Sequence, residues 1–131
     1  METAMTTLQS RPPLFVTQDE HDRLLDLAYT ALGREPGAHT LIEELTRAQV
    51  GIEAPPEIVR MHDRVTFNYD GSAYRDFALV FPNEADISAR RISVLTQVGA
   101  MLLGLRPGQS IAWTGPDGRD HLLKIEQVSR D

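Results

Sequence analysis

The sequence contains no cysteine, which excludes disulfide frameworks, cysteine-ligated zinc and thiol catalysis. No apolar run approaches the roughly 20 residues that a membrane-spanning helix requires, and the N-terminal segment lacks the basic and apolar regions of a signal peptide. Hydrophobic residues make up 41% of the 131 positions, which is enough for one folded core with a small appendage. We therefore expect a cytoplasmic protein that does not enter membranes.

Negative charge is concentrated in one part of the chain. Residues 1–57 carry ten acids and four arginines, a net charge of -6, whereas residues 58–131 carry nine acids and nine bases. An acidic segment is repelled by phosphate backbones, so the imbalance disfavours direct nucleic-acid binding and favours a basic protein surface as partner. An acidic surface kept for solubility would give the same imbalance.

The N-terminal part is predicted to begin with a leader and a helix. Residues 1–16, which include two adjacent prolines, are typical of a flexible leader. Thr17 and Glu20 have the spacing of a capping box, which starts a helix. Apolar residues at helical spacing then continue to Leu32, and Gly33 is a suitable C-terminal cap.

A second short helix is predicted after the turn that follows Gly33. Thr40 and Glu43 form another capping box, and the apolar spacing continues until Gly51. Two amphipathic helices joined by a tight turn predict an antiparallel hairpin over residues 17–51. Residues 52–57 are predicted to be a linker.

Residues 58–131 show the period of two that indicates strands. Asp70-Gly71 is a strong hairpin signal between two alternating runs, and Pro116-Asp117-Gly118 fits a type I turn. These patterns predict an α+β protein, with a short N-terminal antiparallel helical hairpin followed by an antiparallel β-sheet domain with one short helix. The strands are expected around Val65 to Tyr69, Phe77 to Phe81, Ile92 to Leu95, Ile111 to Trp113 and Leu123 to Ile125, and the helix around Val98 to Leu103.

A search for catalytic or metal-binding residues identifies no site. The four histidines fall in four different elements, and none has the spacing of a metal-ligand pair. Acids on the first helix, and paired acids on the second, could hold a divalent cation if they converged. A solvated acidic face that favours the helix N-terminus is the simpler explanation. We therefore predict no enzyme activity, no metal and no cofactor; the acids concerned are Asp19, Asp22, Asp26, Glu43 and Glu44.

One C-terminal segment carries a family motif. Residues 92–111, ISVLTQVGAMLLGLRPGQSI, resemble the pattern I-S-x-x-(S/A)-P-x-G-x-A-L-L-G-x-x-x-G-D of the C-terminal domain of Gre-type transcript cleavage factors. Residues 44–49, 59–67 and 79–82 are similar to the branch of that superfamily that contains the regulators of nucleoside diphosphate kinase. The resemblance covers roughly residues 40–126.

This resemblance implies a fold, a partner and a binding site. The C-terminal domain would be FKBP-like and would dock on bacterial RNA polymerase, on the β′ subunit coiled coil near the secondary channel, with the hairpin pointing towards the channel. The family's polymerase contact falls here on Leu95, Thr96 and Gln97. We expect this loop to be exposed, so that Leu95→Asp would abolish docking without unfolding the protein. A monomer suffices for this role.

The hairpin tip distinguishes this chain from cleavage factors. Gre-type cleavage factors have a longer finger with a D-x-x-E motif, whose carboxylates complete the polymerase's magnesium site for RNA hydrolysis. The charged residues at the tip here are Arg34 and Glu35, so the tip carries a single carboxylate. We therefore expect a protein that binds the polymerase without stimulating cleavage and competes with the longer factors. Its acidic hairpin face would accelerate association with a basic channel mouth; that face comprises Asp22, Asp26, Glu43 and Glu44.

Two alternative functions remain open. An FKBP-like fold raises the possibility of prolyl isomerase activity, which would need an exposed aromatic pocket. The alternation predicts instead that the relevant aromatic side chains pack inward as core; they are Phe67, Phe77, Phe81 and Trp113. The other alternative is an adaptor or regulator of another protein, such as nucleoside diphosphate kinase.

Overall fold

Helices form the N-terminal part of the protein and strands form most of the rest, as the change of hydrophobic period predicts. A computed structural model describes residues 14–52, 56–115 and 118–130. Its helices are α1 (Gln18–Ala31), α2 (Ala38–Arg47) and α3 (Gln97–Leu102). Its strands are β1 (Phe15–Thr17), β2 (Gln49–Gly51), β3 (Arg64–Tyr69), β4 (Ser72–Val80), β5 (Arg91–Ser93), β6 (Ser110–Thr114) and β7 (Asp120–Ser129).

The first helix begins where its capping residues predict. The hydroxyl oxygen of Thr17 accepts a hydrogen bond from the amide of Glu20 at 3.3 Å, which satisfies one of the free N–H groups of the first turn. The helix ends at Ala31, one residue before the predicted end. Gly33 follows with a φ of +86°, a left-handed conformation that glycine adopts at little cost.

The prediction that a capping box at Thr40 and Glu43 starts the second helix is wrong. The helix begins at Ala38, and Thr40 lies inside its first turn with 8% of its surface exposed. Its hydroxyl group donates to Oε1 of Gln97 at 2.9 Å. The side chain therefore binds the first residue of α3 instead of capping its own helix. The helix also ends earlier than Gly51, because residues 49–51 form β2.

The predicted leader is wrong for its last three residues. Leu14 and Val16 are buried in the core, and β1 pairs with β2 in a small parallel sheet. This strand is only three residues long, and its partner lies more than 30 positions further along the chain, so local periodicity could not indicate it. Residues 1–13, the rest of the predicted leader, lie outside the described residues.

The main sheet has five strands in the order β5-β4-β3-β7-β6. Asp70 and Gly71 form the predicted two-residue turn between β3 and β4, with φ angles of +52° and +88°, as a type I′ turn requires. The β4–β5 pair is parallel, so the sheet is mixed rather than antiparallel as predicted. The segment between β4 and β5 contains two 3-10 helices, Pro82–Glu84 and Ile87–Ala89, and it returns the chain so that the two strands run in the same direction. The predicted turn at Pro116-Asp117-Gly118 falls largely outside the described residues.

The helical hairpin packs against the sheet domain instead of projecting from it. Side chains of both hairpin helices belong to the same buried cluster as those of the sheet and of α3. The sequence predicts a hairpin that points towards the polymerase channel; in the structure its apolar stripes are covered by the sheet domain, because they have no other surface to cover them. The cluster includes Leu24, Ala28, Leu41 and Leu45 from the hairpin, and Phe67, Leu79, Leu95, Met101, Leu102, Leu123 and Ile125 from the rest.

Charged side chains also connect α1 to the sheet domain. Glu20 forms an ion pair with Arg60, with 3.4 Å between Oε2 and Nε. The guanidinium of Arg23 lies 5.2 Å from the ring centroid of Phe81, a distance at which a cation and an aromatic face attract each other. Both contacts lie along α1, so the helix is held to the domain by polar as well as apolar interactions.

The hairpin turn makes the closest approach between the two parts. The amide of Gly37 donates a hydrogen bond to the carbonyl oxygen of Leu95 at 2.7 Å. A Cβ atom placed on Gly37 would lie 2.2 Å from the carbonyl oxygen of Thr96. Only glycine allows the turn to pack this closely on the loop.

Asp70→Asn is expected to destabilise the protein at neutral pH and to have less effect in acid. A hydrogen bond from His121 and another from the Leu122 amide lower the pKa of Asp70 below its usual value of 3.8. Because the pKa is lower in the folded state, the stabilisation is present above about pH 4 and is lost as the pH falls through the folded-state pKa. Asparagine tolerates the left-handed turn position.

Thermal unfolding at pH 7 and at pH 3 checks this prediction. The melting temperature of the variant should fall below that of the parent at pH 7, and the gap should narrow at pH 3. An equal gap at both pH values would show that the Asp70 carboxylate is not the source of the effect.

Gly37→Ala is expected to lower the free energy of unfolding by about 1–3 kcal/mol, because the added methyl group overpacks the turn against the loop. The φ of Gly37 is -88°, which alanine adopts freely, so backbone strain does not contribute. Urea unfolding measures the loss. Gly33→Ala is a control for glycine replacement: its Cβ would meet no atom within 4 Å, and its left-handed φ alone should cost about 1–2 kcal/mol. A Gly37→Ala variant as stable as the parent would contradict the packing described.

Candidate partner-binding site

The loop that the family resemblance assigns to partner contact lies between β5 and α3. Leu95 is only 3% exposed, and its amide donates to the hydroxyl of Ser93 at 3.0 Å. The expectation that this side chain is exposed is therefore wrong. Leu95→Asp would place a carboxylate in the core, at a cost of several kcal/mol, so it would disrupt the fold as well as any docking.

Thr96 and Gln97 keep part of their surface accessible but are held firmly in place. The hydroxyl of Thr96 donates to the carbonyl of Ser93 at 2.7 Å and accepts from the amide of Gly99 at 3.0 Å, so it caps α3. The side chain of Gln97 accepts the hydrogen bond from Thr40. These contacts make the loop a rigid platform, and its accessible part consists of the two half-buried polar residues.

The hairpin turn lies beside this loop. Arg34 and Glu35 are exposed, and their amides both donate to the carbonyl of Ala31, at 2.9 and 3.1 Å. The guanidinium of Arg34 donates to the carbonyl of Thr30 at 3.0 Å. Through Gly37 the same turn contacts the 95–97 loop, so the structure brings together the hairpin tip and the loop that the resemblance assigns to polymerase contact.

Three of the four acids predicted to form the hairpin's acidic face are accessible. The side chains of Asp22 and Glu43 are 68% and 50% exposed, and Asp26 is exposed as well. Glu44 is only 2% exposed and pairs with Arg47 at 2.6 Å, so its assignment to a solvated face is wrong. Its carboxylate neutralises a nearby guanidinium and is not presented to a partner.

Within the three described ranges, the side chains do not form a metal site. No group of three or more His, Asp or Glu side chains is placed so that it could hold a metal ion. The acids of α1 and α2 that the sequence suggested as possible ligands do not form such a group. In the same ranges, each helix is too short or too polar to cross a bilayer.

An apolar pocket opens on the sheet beside α3. Its volume is about 180 Å³, enough for one apolar side chain. The pocket is lined by Phe67, Tyr69, Tyr74, Phe77, Ile87, Ile92 and Val98.

The four aromatic side chains predicted to be core differ in burial. Phe67 and Trp113 are buried, whereas Phe77 and Phe81 are half-buried. The prediction that all four are core therefore holds for two of them.

Sequence reasoning missed Gly37 and Thr40 as residues that shape the site. The sequence patterns predict only a turn for residues 33–37, which include Gly37, and only a helix cap for Thr40. The partner of Thr40 lies 57 positions away in the chain, and the contact of Gly37 is similarly distant. A local pattern carries no information about such partners, so no sequence signal could have identified them.

Comparisons with known proteins agree on one family. A family model described as "Transcription elongation factor, GreA/GreB, C-term" matches residues 54–130. Proteins named "Regulator of nucleoside diphosphate kinase" from Escherichia coli K12 and Shigella flexneri are each 38% identical over 122 residues, covering 89% of this chain and 90% of the relative.

A solved structure supports the same assignment. It is described as the prokaryotic transcription elongation factor GreA/GreB from Nitrosomonas europaea, with a TM-score of 0.68 and 34% sequence identity. The match covers 91% of this chain and 99% of the other. The likeness to FKBP folds, which the resemblance implied, stays a prediction. The chain therefore belongs to the GreA/GreB family of transcription elongation factors, in the branch that contains the regulators of nucleoside diphosphate kinase.

Proposed function

We propose that this protein is a non-enzymatic regulator that binds bacterial RNA polymerase and acts on transcription elongation. The observation that carries the proposal is family membership over almost the whole chain, with relatives at 34% and 38% identity that cover about nine-tenths of it. The proposed contact is the polymerase surface that the family resemblance implies, the β′ coiled coil at the rim of the secondary channel. The protein acts in the cytoplasm as a monomer.

The docking surface in this proposal is not the one that the motif alone implies. Leu95 is buried and only holds the loop in place, while Thr96 and Gln97 offer the part of their surface that stays accessible. The exposed turn with Arg34 and Glu35 lies beside them. A partner that contacts the loop therefore meets the hairpin turn as well.

The hairpin supports a role in which RNA is not cut. Helix α1 has 14 residues, about 21 Å at 1.5 Å per residue, and its buried side chains belong to the core shared with the sheet domain. Metal-assisted hydrolysis needs carboxylates placed at the metal, whereas the only carboxylate at this turn is Glu35. We infer that the protein occupies the rim and competes with longer factors that reach the active centre.

Binding and cleavage assays with purified components test this proposal. The protein is expected to bind core RNA polymerase and to leave the RNA of backtracked elongation complexes uncut. Added to a reaction with a Gre-type cleavage factor, it should slow cleavage in a concentration-dependent way. The cleavage factor alone is the positive control. Accelerated cleavage by this protein alone, or failure to bind the polymerase, would overturn the proposal.

Two other functions each have one supporting observation. The apolar pocket with a half-buried Phe77 could accept a proline ring, and an isomerisation assay on a proline-containing peptide separates this function from polymerase binding. The name of the relatives points to nucleoside diphosphate kinase. Binding of purified kinase, with RNA polymerase as competitor, tests that second possibility.

A further inference from the structure

The end of α1 exposes two large apolar side chains. Tyr29 and Leu32 are 61% and 43% exposed, and they are linked by a hydrogen bond from the amide of Leu32 to the carbonyl of Tyr29 at 3.3 Å. Leaving such side chains in water forgoes the free energy of burying them. Tyrosine is also among the residues that most often anchor protein interfaces.

Tyr29 continues an acidic helix face, and Leu32 is the first residue after the helix. Asp22, Asp26 and Tyr29 follow the spacing i, i+4 and i+7, so they lie on the same side of α1. All three are exposed, whereas the opposite side of the helix, with Leu24 and Ala28, is buried in the core. The outward face of α1 is therefore acidic along its length and apolar at its end.

The position of this face connects it to the partner-binding loop. The turn that begins at Leu32 runs past Arg34 and Glu35 to Gly37, whose amide is bonded to Leu95. Because the hairpin shares its core with the sheet domain, the face and the loop keep a fixed relation. A rigid partner surface could contact both at once.

We propose that the outward face of α1, with Tyr29 and Leu32 as its apolar anchors, is the second half of the polymerase-docking surface. This inference rests on the proposed function and names the residues and the chemistry of that interface. The inference requires a partner surface with basic side chains opposite Asp22 and Asp26 and an apolar depression for Tyr29 and Leu32.

The charges of the face select this occupant over a second copy of the chain. In a symmetric dimer the same patch meets itself, so Asp22 and Asp26 would face a patch that carries the same two acids. Like charges repel, and the protein as a whole carries a net charge of -6, which adds to the repulsion. A partner surface with basic side chains would instead be attracted to this acidic face.

The apolar anchors are tested with Tyr29→Ser combined with Leu32→Ser. Affinity for core RNA polymerase, measured by biolayer interferometry, is expected to fall at least tenfold. The matched control is Ile52→Ser combined with Leu122→Ser, which removes two large side chains of comparable or greater exposure elsewhere and should change affinity less than twofold. Circular dichroism melting verifies that both variants fold like the parent.

The acidic part of the face is tested with Asp22→Asn combined with Asp26→Asn. Electrostatic attraction acts mainly on the association rate, so association should slow at least threefold while dissociation changes less than twofold. The difference should disappear in about 0.5 M salt, where charges are screened over a few ångströms. Glu57→Gln combined with Glu126→Gln removes two exposed acids outside the face and should leave both rates near those of the parent.

The possible outcomes separate this inference from the proposed function. If the parent does not bind the polymerase, the proposed function fails and the inference fails with it. If the parent binds and the Tyr29 and Leu32 variant binds within twofold of it, the function stands and the inference is overturned. A dimer of the parent in analytical ultracentrifugation that the same variant dissociates would also overturn it, in favour of a second copy.

Discussion

The close packing of the hairpin turn on the loop before α3 is the contact on which the arrangement of the protein depends. Gly37 brings its backbone against Leu95 and Thr96 because it has no Cβ, and Thr40 completes the contact with a hydrogen bond to Gln97. Behind this contact, the apolar stripes of both hairpin helices enter the core of the sheet domain. A bulkier residue at the turn would move the hairpin away from that core.

The shared core determines how the protein can act. Leu24, Leu41 and Leu45 are almost completely buried, and each contributes about 1.5–3 kcal/mol by leaving water. Lifting the hairpin off the sheet would return part of this area to solvent, a large cost for a domain whose total stability is typically about 5–15 kcal/mol. The hairpin is therefore a fixed part of the surface, and what it offers a partner is its exposed face and turn.

Sequence patterns located most elements because those elements have local causes. Thr17 and Glu20 start α1, and Asp70-Gly71 forms the turn between β3 and β4, since capping and tight turns depend on residues three or four positions apart. The patterns failed for Thr40, whose hydroxyl binds a distant side chain instead of its own helix. They failed also for Leu95 and Glu44. Motif position suggested that Leu95 is exposed and charge suggested the same for Glu44, but both side chains are buried.

The sequence by itself determined the α+β class, the order along the chain of the three helices and of the five strands of the main sheet and, through the motif in residues 92–111, the family. These properties follow from residue spacing along the chain, which is a local quantity. Only the tertiary structure decided the parallel pairing of β4 with β5, the position of the hairpin against the sheet and the set of side chains left for a partner. Those outcomes depend on contacts between residues far apart in the chain, such as Thr40 and Gln97, which are 57 positions apart. An apolar stripe in the sequence shows that a helix face will be buried, but it does not show which surface will cover that face.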